Sequence, residues 1–151
     1  MNIQDFLSRQ QVTFQRLVHQ PAPSSSRRAN SVRTVGRQVA KTVVLANDDG
    51  QFLVAVLPAD RKIDWARLAS STGKSGWKLA TEEQAGTIFS DCETGAWPPF
   101  GGLYGVPTVV DDSFPASAQI LVEGNHRHED YRMSFADYMR TAQPLQARIS
   151  D

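Results

Sequence analysis

A chain of 151 residues, 40% hydrophobic and 21% charged, has the make-up of one globular domain with a sizeable core. No apolar run approaches the ~18 residues of a membrane span, and the start MNIQDFLSRQQ lacks the apolar stretch of a secretion signal. The single Cys92 leaves no intrachain disulfide and no cysteine-rich zinc site, so the cytoplasm is the expected compartment.

In chain order, Ile3, Phe6 and Leu7 recur at i, i+3, i+4 and predict a short first helix. Gln11 to Val18 alternates as a short strand, which His19-Gln20-Pro21 breaks. Ser24-Ser25-Ser26 caps a predicted arginine-rich helix running to about Ala40, with Val32, Val35 and Val39 inward. Thr42–Leu45, Asn47-Asp48-Asp49-Gly50 and Phe52–Leu57 read as a hairpin apolar on both faces and ended by Pro58. A helix capped by Asp64 follows, with Trp65, Leu68 and Ala69 inward; then comes a short strand, Trp77–Leu79. Thr81-x-x-Gln84 is a capping box that opens a helix to about Phe89. Strands are predicted at Val106–Val110, with Pro107 at an edge or strand start, at Gln119–Val122 and at Tyr131–Met133. Ser134 caps a closing helix, Phe135 to about Ala142. Helices and strands mix without regular βαβ alternation, which predicts a single α+β domain with a mixed, strongly curved, barrel-like sheet and flanking helices.

The most unusual stretch is Gly95-Ala96-Trp97-Pro98-Pro99-Phe100-Gly101-Gly102. Proline fixes φ and glycine permits close backbone approach, so such a loop is stiff and points its few N–H groups in set directions. It is either a structural turn carrying two packed aromatics or a cradle for a carbonyl or phosphate oxygen. Lys41, at the start of an apolar strand, is either a solvated strand-end lysine or a cation that holds an anion or polarises a carbonyl. Formal net charge is zero, but residues 1–41 carry seven bases against Asp5 alone. Arg27, Arg28, Arg33 and Arg37 thus form either a solvated helix face or a surface for a polyanion. Cys92 lies between Asp91 and Glu93, whose charges disfavour a thiolate. His126-x-His128 with Glu129 and Asp130 has metal-ligand residue types but an incomplete set, and no metal or other cofactor is expected. His19 reads as a structural turn residue.

Gly36–Leu45, Ala55-Val56-Leu57-Pro58-Ala59, Leu79–Glu83, the loop Gly95-x-x-Pro98-Pro99-Phe100-Gly101, and Gly124-x-His126 followed by Arg132-Met133-Ser134 occur in the order of a known family. Over about His19 to Arg140 the chain resembles the YbaK/prolyl-tRNA-synthetase-associated domain family, whose members hydrolyse mischarged aminoacyl-tRNA. The resemblance implies a single editing domain over residues 1–151 that deacylates tRNA in trans, on tRNA-Pro or a related tRNA. The alternative is a non-catalytic module of the same fold that binds tRNA or an amino acid.

The resemblance also implies site roles. Lys41 falls on the family's essential lysine. Gly95, Ala96, Trp97, Pro98, Pro99, Phe100 and Gly101 fall on the substrate-binding loop, which would set the ester carbonyl against backbone N–H groups. Gly124, Asn125 and His126 fall on the turn that borders the amino-acid pocket, and Asp130 near an acid that would act as a base or orienting group. Leu17 stands where some members have tyrosine, which with Trp97 bears on amino-acid specificity. Arg27, Arg28, Arg33 and Arg37 would face tRNA phosphates, and an aminoacyl-tRNA synthetase is a partner candidate; neither membrane nor DNA is expected. An aminoacyl ester is already activated, so oriented donors, a nearby cation and admitted water suffice without a strong nucleophile.

Overall fold

The computed structural model describes residues 2–19 and 38–151. The arginine-rich helix expected after Ser24, with Arg27, Arg28, Arg33 and Arg37, falls on residues outside that range. Its expected end is corrected, because Ala40 already opens a strand.

In chain order the elements are α1 (Ile3–Arg9), β1 (Phe14–Val18), β2 (Ala40–Ala46), β3 (Phe52–Pro58), α2 (Trp65–Thr72), β4 (Lys78–Leu79), α3 (Glu82–Ile88), a 3-10 turn (Gly101–Tyr104), β5 (Thr108–Asp111), β6 (Gln119–Glu123), β7 (Glu129–Ser134), α4 (Phe135–Ala142) and β8 (Leu145–Ala147). The caps act as their chemistry dictates. Asp64 accepts from Arg67 N–H, Ser134 from Asp137 N–H, and Thr81 and Gln84 bond reciprocally as a capping box. Of the α2 residues expected inward, Leu68 is fully buried, but Trp65 is 46% exposed. The one strand the pattern did not announce is β8. It carries a single large apolar residue, Leu145, and pairs in parallel with β5 through only three positions.

The α+β class holds, with two sheets in place of one barrel-like sheet. One is antiparallel, ordered β1-β7-β6; the other is mixed, ordered β4-β2-β3-β5-β8. Neither closes. A lone parallel bridge, Val39 to Leu121, links the start of β2 to β6.

Strand residues alternate between two faces. One face of both sheets (Ala40, Val44, Val54, Val56, Val110, Ile120, Val122, Tyr131 and Met133) packs on α1, α4 and the Gly/Pro loop as the main core. On the opposite face Leu45, Leu53, Ala55 and Val109 pack on Leu68 of α2 and on Ile149, while Val39, Leu121 and Ala59 form a small third cluster.

The end of the chain is fastened by one buried carboxylate. Asp111, fully buried at the end of β5, accepts from Ile149 N–H at 2.9 Å, Ser150 N–H at 3.0 Å and Ser150 Oγ–H at 3.0 Å. It also accepts from the N–H and hydroxyl of Ser113. Burial alone would raise its pKa, but the Ser113, Ile149 and Ser150 donors together outweigh that and hold it below the ordinary carboxylate value. Asp111→Ala leaves several buried donors unpaired and should cost about 3 kcal/mol at pH 7 in urea unfolding. The depressed folded pKa means this stabilisation is present above the unfolded value near ~3.9 and is lost as pH falls through the folded value. The gap between wild type and variant should therefore narrow in acid.

Candidate functional site at the seam of the two sheets

Register places the polar residues of interest on one face. Leu17 pairs with Asp130 and Asp130 with Glu123, so the three form a row across β1, β7 and β6. Leu121, two residues before Glu123, bridges Val39, and Lys41 lies two residues beyond Val39 on the same side of β2. The bridge is isolated: past it no ladder joins β2 to β6 among the described residues, and the sheets part there. Adjacent strands are only ~4.8 Å apart, so this seam gathers side chains from four strands.

Within it His19 Nε2 lies 2.6 Å from Asp130 Oδ2, with both side chains almost fully buried. The His19 N–H is also fixed, donating to His128 O at 2.8 Å. Charge-assisted hydrogen bonds of this length hold a ring in one orientation. His19, read from sequence as a turn residue, thus has a buried partner that local pattern reasoning did not foresee. Its partner stands 111 positions away, and the only sequence signal was its place directly before Gln20-Pro21.

The Gly/Pro loop reaches the seam through Glu123, whose Oε2 accepts Trp97 N–H at 3.0 Å. Its middle is core: Trp97 packs on Phe89 with centroids 5.5 Å apart, and Phe100 on Phe6 and Tyr138 at 5.4 and 5.5 Å. Pro98 and Pro99 are buried, and the Pro99 carbonyl accepts the Tyr138 hydroxyl at 2.8 Å. Much of the donor supply is already committed. Ala96 N–H bonds to Glu93 O, Trp97 N–H to Glu123, and Gly101 N–H to Thr108 Oγ1. Gly95, at φ +87°, and Gly102 are the exposed glycines of the loop, with nothing within 4 Å of an added Cβ at either. At Gly101 a Cβ would stand 2.6 Å from both Thr108 Oγ1 and Val106 O. Packing alone is enough to require glycine there.

Lys41 pairs with Leu57 and shares a face with Val43 and Leu45, opposite the core that holds Trp97 and Phe100. No hydrogen bond or ion pair joins it to the loop among the described residues. Burial holds its pKa below the ordinary lysine value, with Asp151 and Asp60 pulling up and Lys62 pushing down. A partly desolvated ammonium acts through a less screened field than one in water.

The Gly124–His126 turn is built by packing. A Cβ on Gly124 would meet Tyr131 Cε2 at 2.5 Å. Asn125, buried, takes Ile3 N–H on Oδ1 and Glu93 N–H on its carbonyl, both at 2.8 Å, so it ties α1 and the approach to the loop to this turn. His126 is exposed, 3.8 Å from Glu93 and stacked on His128. No group of three or more His, Cys, Asp or Glu poised to hold a metal ion occurs among the described residues.

Cys92 is half-buried; burial chiefly raises its pKa, aided by the Glu123 charge and opposed by hydrogen bonds with Tyr104 and Asn125. Burial thus outweighs the flanking acids as the cause. Cys92→Ala should leave activity within about twofold, since the thiolate is scarce; iodoacetamide labelling should likewise be slow and leave turnover unchanged.

A cavity of about 430 Å³ lies elsewhere, at the far end of the five-stranded sheet. Among the described residues no helix is long and apolar enough to cross a membrane.

Solved structures share the fold, three of them as follows. A hypothetical protein superposes with a TM-score of 0.87 at 16% identity over 99% of both chains. A candidate trans-editing enzyme for prolyl tRNA synthetase gives 0.81 at 16% identity over 99% of this chain and 94% of that one. A candidate signal transduction protein from Marinobacter aquaeolei VT8 gives 0.71 at 16% identity, over 98% of this chain but only 30% of that longer one. No curated protein sequence matches the chain. The sequence profile of the aminoacyl-tRNA editing domain matches residues 19–141, a span that runs from His19 through the Gly/Pro loop to the last turn of α4. The chain belongs to the aminoacyl-tRNA editing domain family.

Proposed function

We propose that the protein is an aminoacyl-tRNA deacylase that acts in trans on mischarged tRNA-Pro or a related tRNA. The observation that supports this reading is the buried His19–Asp130 pair in register with Glu123, which holds the loop, beside the Val39–Leu121 bridge that brings the start of β2 and Lys41 to the same edge. Water adds to the acyl carbon and the carbonyl oxygen takes the electron pair. Collapse then breaks the bond to the ribose oxygen, which leaves with a proton. Lys41 stabilises the developing negative charge, the loop positions the ester at its Gly95 end, and Asp130 with His19 orients the attacking water. Beside the seam Val39, Ala59 and Leu121 are buried as a small core cluster, with partly buried Leu17 packed against it. Arg27, Arg28, Arg33 and Arg37 contact tRNA phosphates in this reading, and a synthetase partner can contribute tRNA selection.

A second reading, a module that binds aminoacyl-tRNA without turnover, is favoured by one observation: three loop N–H groups already have protein acceptors. A deacylation screen with tRNAs charged with alanine, cysteine, serine and proline separates the two. The enzyme releases at least one amino acid catalytically. A binder retards spontaneous hydrolysis of every one.

A further inference from the structure

The cavity of about 430 Å³ lies between the start of β3, the start of β5, the end of α2 and β8. Its volume is that of a small-molecule site. Along β3 it sits at Phe52 and Leu53, four to five residues from the Leu57 that pairs with Lys41, or roughly 13–17 Å. It is therefore separate from the seam.

Its body is apolar, from Leu53, Val106, Val109 and Leu145, with aromatic walls from Phe52 and Trp77. Trp77 is fixed, because its Nε1–H donates to Thr72 Oγ1 at 3.1 Å, and Thr72 also takes Lys74 N–H across the turn that ends α2. The Ser71 and Thr72 hydroxyls at the rim already donate to Arg148 O and Leu68 O, which leaves Gln51 and Lys74 as its open donors. Gln51 Oε1 is occupied by Asn47 Nδ2–H at 2.8 Å, which leaves the Gln51 amide NH₂ to donate outward. Lys74 makes no ion pair among the described residues, and no acidic side chain lines the cavity. An apolar body with an ammonium and an amide donor at its rim selects an apolar or aromatic ligand with an anionic end.

We propose that this cavity binds a small carboxylate with an aromatic or aliphatic body, its charge held by Lys74 and Gln51. Occupancy would be felt by the Gly/Pro loop. Thr108 lines the cavity and its Oγ1 accepts Gly101 N–H at 3.0 Å, while Val106, also lining it, donates to Gly101 O at 3.0 Å.

The test is amide and indole NMR titration of the full chain with naphthalene-2-carboxylate, with naphthalene-2-methanol as its neutral counterpart. Saturable shifts should centre on the Trp77 indole N–H and the amides of Val106 and Val109, and extend to the Gly101 amide. The acid should bind about fivefold tighter than the alcohol, and Lys74→Ala, a surface change that leaves folding intact, should abolish that preference. Absence of saturable shifts at these residues, equal affinity for acid and alcohol, or a preference that survives Lys74→Ala would each overturn the proposal.

Discussion

Lys41→Ala should lower deacylation of mischarged tRNA by about two orders of magnitude while leaving unfolding stability nearly unchanged. The expectation rests on two findings. Lys41 lies two residues past Val39, whose bridge to Leu121 joins the two sheets beside Glu123 and Asp130, and its ammonium is partly desolvated. Stability should hold because Lys41 makes no ion pair among the described residues and burial already penalises its charge. Because its pKa lies below the ordinary lysine value, turnover corrected for spontaneous hydrolysis should decline with rising pH before a free lysine would lose its proton. Lys41→Arg keeps the charge throughout that range and should remove the alkaline decline, even where its geometry lowers the rate. Near wild-type turnover in folded Lys41→Ala would make the residue a strand-end lysine with no part in the chemistry.

What the sequence disclosed and what it hid divide along a physical line. Local signals were legible: the Asn47–Gly50 hairpin turn, the Thr81 capping box, and the Asp64 and Ser134 caps all rest on bonds within a few residues and occur as read. Long-range pairings were not. The His19–Asp130 contact depends on β1 lying beside β7, and the Asp111 clamp on the chain returning to the end of β5. β8 is too short and too polar to show a period.

The Gly/Pro loop was legible in its stiffness and ambiguous in its use. Trp97 and Phe100 turned out to be core side chains, as the structural alternative had it, while the loop still reaches the seam through Trp97 N–H. The resemblance supplied Lys41 and the loop as site residues but gave no hint that sheet alternation puts Lys41 opposite the aromatics. Glu123 carried no motif. Its part emerges only from the bond it makes to the loop.

Removing the substrate's own hydroxyl should be the second large loss. Cys92 is half-buried with a raised pKa, and His126 is exposed on the turn, so neither is an activated nucleophile at the seam. In the proposed mechanism Lys41 offers charge, the Gly95 end of the loop a place for the ester, and Asp130 with His19 orientation. The proton traffic still needs a group next to the ester. In an aminoacyl-tRNA the hydroxyl vicinal to the ester is in reach; it can hydrogen-bond the attacking water or the carbonyl oxygen and shuttle the proton to the leaving oxygen. General acid–base help of this kind is worth about 10²-fold or more. The direct measurement is single-turnover release of the amino acid from normal mischarged tRNA and from tRNA whose terminal adenosine lacks that hydroxyl, each with the wild-type protein. The deoxy substrate should bind with similar affinity and be cleaved about two orders of magnitude more slowly. Equal cleavage rates for the two substrates would contradict it and pass the role of base to Asp130 or His126.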